Sequence, residues 1–167
     1  MPKSSKTEEK KRFERIYCIE IKNYFEGLKD RIIKIWGDKA LYDNQITDIG
    51  QQLLGEKKYV GTFPIDKVPL SGSDKYMIAN VDKSGLPGSH WVSVYLKGDT
   101  IYVYDSFARK SKKLLKPLHD KAKKYKKKII DINAKSDQKN HTQVCGPISL
   151  SWLYIVHKYG IDAGRCI

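Results

Sequence analysis

Cys145 stands directly before Gly146-Pro147 in the stretch QKNHTQVCGPISLSWLYIVHKYG, residues 138–160. The apolar run behind it predicts a buried helix over residues 146–159, with Pro147 in the first turn and Gly160 past the end. A thiol attacks as its thiolate, and the unpaired N–H groups and macrodipole of a helix N-terminus favour that form. Gly146 would let a substrate backbone come close. The plain alternative is a cysteine that fills space in the core. The partners of the sulfur decide between the two.

A nucleophilic thiol needs a base, and the chain has four histidines. His157 is twelve residues further along the same helix, roughly 18 Å away, and cannot reach. It suits the helix C-terminus instead. His119 falls in a lysine-rich helical pattern and reads as solvated. His141, four residues upstream of Cys145, is a weak candidate. His90 follows the flexible SGLPGS and opens the strand pattern HWVSVYL, a place from which a side chain can project into a cleft. An ordinary surface histidine is its alternative.

The base must in turn be oriented. Asp105 ends the strand pattern IYVYD, and Lys97-Gly98-Asp99-Thr100 between the two patterns is a hairpin signal. His90 lies seven residues before Lys97 and Asp105 five after Thr100, so both fall at the open end of the hairpin. An acid that merely terminates its strand is the alternative. Acyl transfer also needs oxyanion donors. The Cys145 N–H is one, and Gln138 or Gln143 could supply a side-chain amide.

These residues must be positioned by a small set of elements. Residues 1–12 are polar and read as flexible. Apolar spacing over residues 13–36 predicts one or two amphipathic helices interrupted near Gly27. Asp43 is the expected N-cap of a helix through Leu54, with Gly55 after it. YVGTFPIDKVPLSGSD, rich in Gly and Pro, reads as irregular chain. Strands are expected over 76–81, 91–96, 101–105 and 129–132. A helix is expected over 112–127, with Pro117 near its start.

The 167 residues suggest a single domain covering 1–167. No run approaches the about 20 apolar residues of a membrane span, so no membrane partner is expected. MPKSSKTEEKKRFER lacks an apolar signal-peptide core, and secretion is not expected. Cys18, Cys145 and Cys166, odd in number and far apart, suggest free thiols in a reducing compartment. For Cys166 a spare thiol is a simpler expectation than a tethering disulfide. Paired CxxC, HExxH and GxxxxGK[ST] do not occur, so zinc and nucleotide chemistry have no support and no metal site is expected. The net charge is +13. It fits either a lysine-rich solubilising surface or an acidic partner, most plausibly nucleic acid.

The order His…Asp…Gln…Cys, carried by GSHWVSVYL, YVYDSF and QKNHTQVCGP, resembles the adenovirus-type maturation proteases (adenain-like). These belong to a superfamily with the SUMO and ubiquitin-like-protein proteases. YVGTFPIDKVP is similar to the part of those enzymes that precedes the histidine. Small relatives occur in virophages and polinton-like elements, which this short chain most resembles. The resemblance covers roughly residues 42–160. It implies an α+β, papain-like fold, with a small central, mostly antiparallel sheet flanked by helices and the nucleophile at the N-terminus of a buried helix. It further implies Cys145 as nucleophile, His90 as base, Asp105 as orienting acid (Glu in adenain, Asp in the SUMO proteases) and Gln138 as oxyanion donor, with Gln143 the alternative. Trp91 would shape a narrow channel for small substrate residues, or else pack in the core, and Gly146 would adjoin the substrate.

The activity implied is a viral cysteine endopeptidase that cuts capsid or other virion precursors after glycine. No cofactor is needed for the chemistry, and DNA or a viral peptide could activate it. Ten lysines fall in residues 110–128, among them Lys112, Lys113, Lys116, Lys123, Lys124 and Lys127 as DNA contacts. A monomer is expected, in the virion and the infected cell. Two other readings stand beside this one: a SUMO or ubiquitin-like isopeptidase on the same fold, and a non-enzymatic basic DNA-binding module.

Overall fold

The structure, a computed structural model, describes residues 3–85, 90–133, 135, 136, 138 and 142–167. The elements run α1 (Lys3–Trp36), α2 (Asp43–Leu54), β1 (Tyr59–Pro64), a 3₁₀ turn (Ile65–Lys67), β2 (Lys75–Asn80), β3 (Trp91–Lys97), β4 (Thr100–Tyr104), α3 (Ser111–Leu114), α4 (Lys116–Lys124), β5 (Lys128–Asp131), α5 (Cys145–Tyr159) and α6 (Ile161–Gly164). The five strands form one sheet in chain order. β2–β3 and β3–β4 pair antiparallel, whereas β1–β2 and β4–β5 pair parallel. The α+β class expected from the sequence is observed, but the sheet is evenly mixed rather than mostly antiparallel.

Side chains alternate across the strands, as a period of two requires. Tyr76, Ile78, Tyr95 and Tyr104 bury against Phe25 and Ile32 of α1, Ile46 and Ile49 of α2, and Trp152 and Leu153 of α5. Met77, Ala79, Val92, Val94, Leu96, Ile101 and Val103 face the other way and bury Leu115, Leu118 and Ala122. The sheet is therefore the middle of three layers. Lys97 pairs with Thr100 across the expected hairpin, and Gly98 takes φ +57° at the turn, where a Cβ would be strained.

The structure differs from the sequence expectations at several places. The helix over residues 13–36 is not interrupted near Gly27, and it extends back through the supposedly flexible residues 3–12. A mid-helix glycine costs only about 1 kcal/mol, which burial of Ile21, Phe25 and Ile32 in the same core as Trp152 and Leu153 of α5 outweighs. Residues 59–64 are not irregular: they form β1, an edge strand with a bulge between Tyr59 and Gly61. An edge position accommodates Pro64, which has no N–H to give the ladder. Tyr42 rather than Asp43 is the N-cap of α2. The helix expected over 112–127 breaks at buried Leu115, and Pro117 lies in the first turn of α4. Cys18 and Cys166 are not free thiols but form a disulfide that ties α1 to the end of the chain. Among the described residues, no helix is long and apolar enough to cross a membrane.

Candidate active site

α5 begins at Cys145, the one free cysteine, which is 8% exposed. Two buried serines fasten this helix to β3. The Ser93 hydroxyl donates to the Ser149 carbonyl at 2.8 Å, and the Ser149 hydroxyl donates to the Trp91 carbonyl at 3.2 Å. The N-terminal half of α5 is thus held on the strand that His90 leads into. His90 sits at the mouth of β3 and is 5% exposed; its carbonyl accepts the Val81 N–H at 3.0 Å.

The β3–β4 ladder ends at Ser93 and Tyr104. Asp105 then opens a tight turn, its carbonyl accepting the Ala108 N–H at 2.8 Å while Ala108 takes φ +55°. This turn brings the buried Asp105 carboxylate to the imidazole: Oδ1 lies 2.6 Å from His90 Nε2. The same oxygen accepts the Phe107 N–H at 3.0 Å, and Oδ2 accepts Arg109 Nε at 3.0 Å. The Phe107 ring lies 5.0 Å from the His90 ring, and the Arg109 guanidinium covers Phe107 at 5.2 Å.

With Nε2 engaged by Asp105, Nδ1 is the ring nitrogen left to meet a thiol, and Cys145 is among the groups that act on the imidazole charge. Burial alone would lower the His90 pKa, yet the hydrogen bonds and charges of Asp105 and Cys145 hold it above the usual histidine value. Burial would raise Asp105, yet the His90 bond, the Phe107 N–H and the charges of His90 and Arg109 hold its carboxyl below the usual range. The imidazole is therefore paired with the carboxylate, acted on by the thiol, and able to hold a proton.

Gln138 is also buried, on a loop clamped to the turn after β4. Its N–H donates to the Ser106 carbonyl at 3.1 Å, and its Oε1 accepts the Ser106 hydroxyl at 2.5 Å. Its Nε2 donates to the Thr142 carbonyl at 2.9 Å, three residues before the cysteine. The Thr142 carbonyl, which can only accept, selects which way the amide faces, and the Ser106 hydroxyl donates to the oxygen so presented. Gln143 is exposed, and its Oε1 accepts the Ala40 N–H at 3.3 Å.

His119 and His157 lie apart. His119 shares a 2.8 Å hydrogen bond with Ser111, and His157 meets the Tyr76 ring edge-on at 5.5 Å. His141 falls outside the described residues. Gly146 is buried, and a Cβ there would stand 3.3 Å from Leu41 Cδ1, so its small size serves packing against Leu41 and α2. Trp91 donates Nε1–H to the Leu41 carbonyl at 3.2 Å and lines a cavity of about 490 Å³ with Leu41, Phe63, Pro64 and Asn80.

Four of the six lysines singled out, Lys112, Lys116, Lys123 and Lys127, line a second groove of about 400 Å³ with His119 and Ile129. Among the described residues, no three His, Cys, Asp and Glu side chains gather as a metal ion would require. Sequence reasoning missed Ser106, Phe107 and Arg109, although all three lie within four residues of Asp105. The chain matches no protein-family model and no curated protein.

Proposed function

We propose that the protein is a cysteine endopeptidase of papain-like type, with Cys145 as nucleophile, His90 as base and Asp105 as orienting acid. The observation that carries this reading is the buried His90, bonded at 2.6 Å to Asp105 through Nε2, with the Cys145 thiol at the start of α5 near enough to help raise its pKa. In the reaction the Cys145 proton passes to His90 Nδ1 and the sulfur adds to a peptide carbonyl carbon. The Cys145 N–H and the Gln138 amide stabilise the oxyanion. Collapse breaks the C–N bond as the imidazolium gives its proton to the leaving nitrogen. Water, deprotonated by His90, then adds to the thioester; its collapse expels the Cys145 sulfur and releases a carboxylate.

The sequence resemblance supports glycine at the acyl position and virion precursor proteins as substrates, within the virion and the infected cell. The lysine groove supports an accessory contact with nucleic acid. It lies on the Ile129 side of the sheet, away from α5, so such a contact would tether the enzyme or influence it at a distance.

The test is cleavage of capsid-type peptides containing Gly-Gly or Gly-X, compared with a diglycine-tailed ubiquitin-like precursor. Wild-type protein is expected to cut the peptides, and Cys145→Ala to be inert but folded. Cutting of the ubiquitin-like precursor alone would favour the isopeptidase reading. Equal behaviour of wild type and Cys145→Ala would favour a non-enzymatic DNA-binding protein.

A further inference from the structure

Asn80, the last residue of β2, is 5% exposed and lines the cavity beside Trp91. Its Oδ1 accepts the Asp82 N–H at 2.9 Å, which fixes the orientation of the amide. Its Nδ2 is the only buried side-chain nitrogen or oxygen among the described residues left with no hydrogen-bond partner. A buried donor with two unused hydrogens is costly to keep unless something takes them. The cavity, at about 490 Å³, falls in the range of ligand sites. Its walls include Trp91, the residue after the base, and the apolar Leu41, Phe63 and Pro64. Asp43, Asp82 and Lys83 also line it, and the two carboxylates outnumber the one cation, so the acceptor that suits Asn80 is a neutral one, an amide carbonyl.

We propose that this cavity is a peptide-binding subsite in which the Asn80 side-chain amide donates to a substrate backbone carbonyl, while Leu41, Phe63 and Pro64 receive a bulky apolar side chain near the scissile glycine. This rests on the protease reading above. It makes Asn80 a specificity-determining residue that takes no part in the bond-breaking step.

The test is binding of acetyl-Leu-Ala-Gly-Gly-Ala-Leu-amide to the full chain carrying Cys145→Ala, which cannot turn the peptide over. Asn80→Ala and Asn80→Asp in that background are each expected to weaken binding about tenfold, the worth of one hydrogen bond at a desolvated site. Asn80→Asp keeps the acceptor for the Asp82 N–H and so keeps the local turn. Changing both leucines of the peptide to serine is expected to weaken binding to the parent. Parent-like affinity in both Asn80 variants, or no binding of the peptide to the parent, would overturn the subsite. Should wild-type protein cleave while both variants bind like the parent, the subsite falls and the protease reading stands. Binding that depends on Asn80 without any cleavage leaves the subsite and removes the protease.

Discussion

The Asp105 carboxylate meets three donors at once, His90 Nε2, the Phe107 N–H and Arg109 Nε. It keeps one tautomer and one orientation of the ring while supplying the negative charge that favours a protonated imidazole. The two pKa shifts make the pair's stabilisation depend on pH. Asp105 is lowered in the fold, so its contribution is present above the unfolded carboxyl value, about 3.9, and is lost as pH falls through the folded one. His90 is raised, so its contribution is complete below about 6.5 and is lost as pH rises through the folded value. Asp105→Asn should therefore cost most stability between about pH 4 and 6.5, with the deficit shrinking on either side, as urea unfolding across pH would show. A deficit independent of pH would mean the loss is one of packing.

Gln138→Ala should lower kcat about 10²–10³-fold on a glycine peptide with little change in KM, as removal of an oxyanion donor does. Ser106→Ala should lower kcat less, about tenfold, because the amide stays but loses one of the bonds that hold it in place. A KM effect with kcat unchanged would place Gln138 in substrate binding instead. Counting residues along the hairpin was enough to put His90 and Asp105 at the same sheet end. It could not supply the face they turn to. Continued in register, the ladder would set residue 105 opposite Val92, whose side chain packs on the α4 side. The turn after β4, with Ala108 at φ +55°, interrupts that register, and nothing in the local residue pattern announces a left-handed alanine.

At the scale of elements, the site depends on α5 being docked along β3. Ser93 and Ser149 are both fully buried and reach across the joint. Ser93→Ala should cost about 1 kcal/mol of stability and lower the rate of peptide cleavage, with the thermal midpoint and kcat/KM falling together. Unchanged kcat/KM at reduced stability would separate the joint from the chemistry. The β3–β4 hairpin and α5 were legible because their signals are local: alternation around a glycine turn, and an apolar run between Pro147 and Gly160. β1 was not, because Gly61 and Pro64 read as loop residues, and only parallel pairing with β2 makes a strand of them. Gly27 misled in the same way, since the pull of α5 on the α1 side chains lies far away in sequence. A Cβ on Gly146 would meet Leu41, a packing neighbour too far away in sequence to leave a local signal.

For the whole molecule, the Cys18–Cys166 disulfide closes a loop with a sequence separation of 148 and couples the packing of α1 on α5 to the chain's end. Sequence spacing could not reveal it, because proximity across so many residues is a property of the finished fold. Cys18→Ala/Cys166→Ala should lose about 3–5 kcal/mol by denaturant unfolding, chiefly from greater freedom of the unfolded chain; an unchanged midpoint would show that the bond adds nothing. The central claim concerns the one cysteine outside that bond, and intact mass of the full chain tests it most directly. A peptide ending in Gly-Gly with a thiol-reactive vinyl ester should add one equivalent to wild-type protein at Cys145 and none to Cys145→Ala. His90→Ala should slow the addition at least about a hundredfold, the usual contribution of a positioned base. Labelling of His90→Ala at the wild-type rate would contradict the account, because the sulfur would then be reacting without the imidazole.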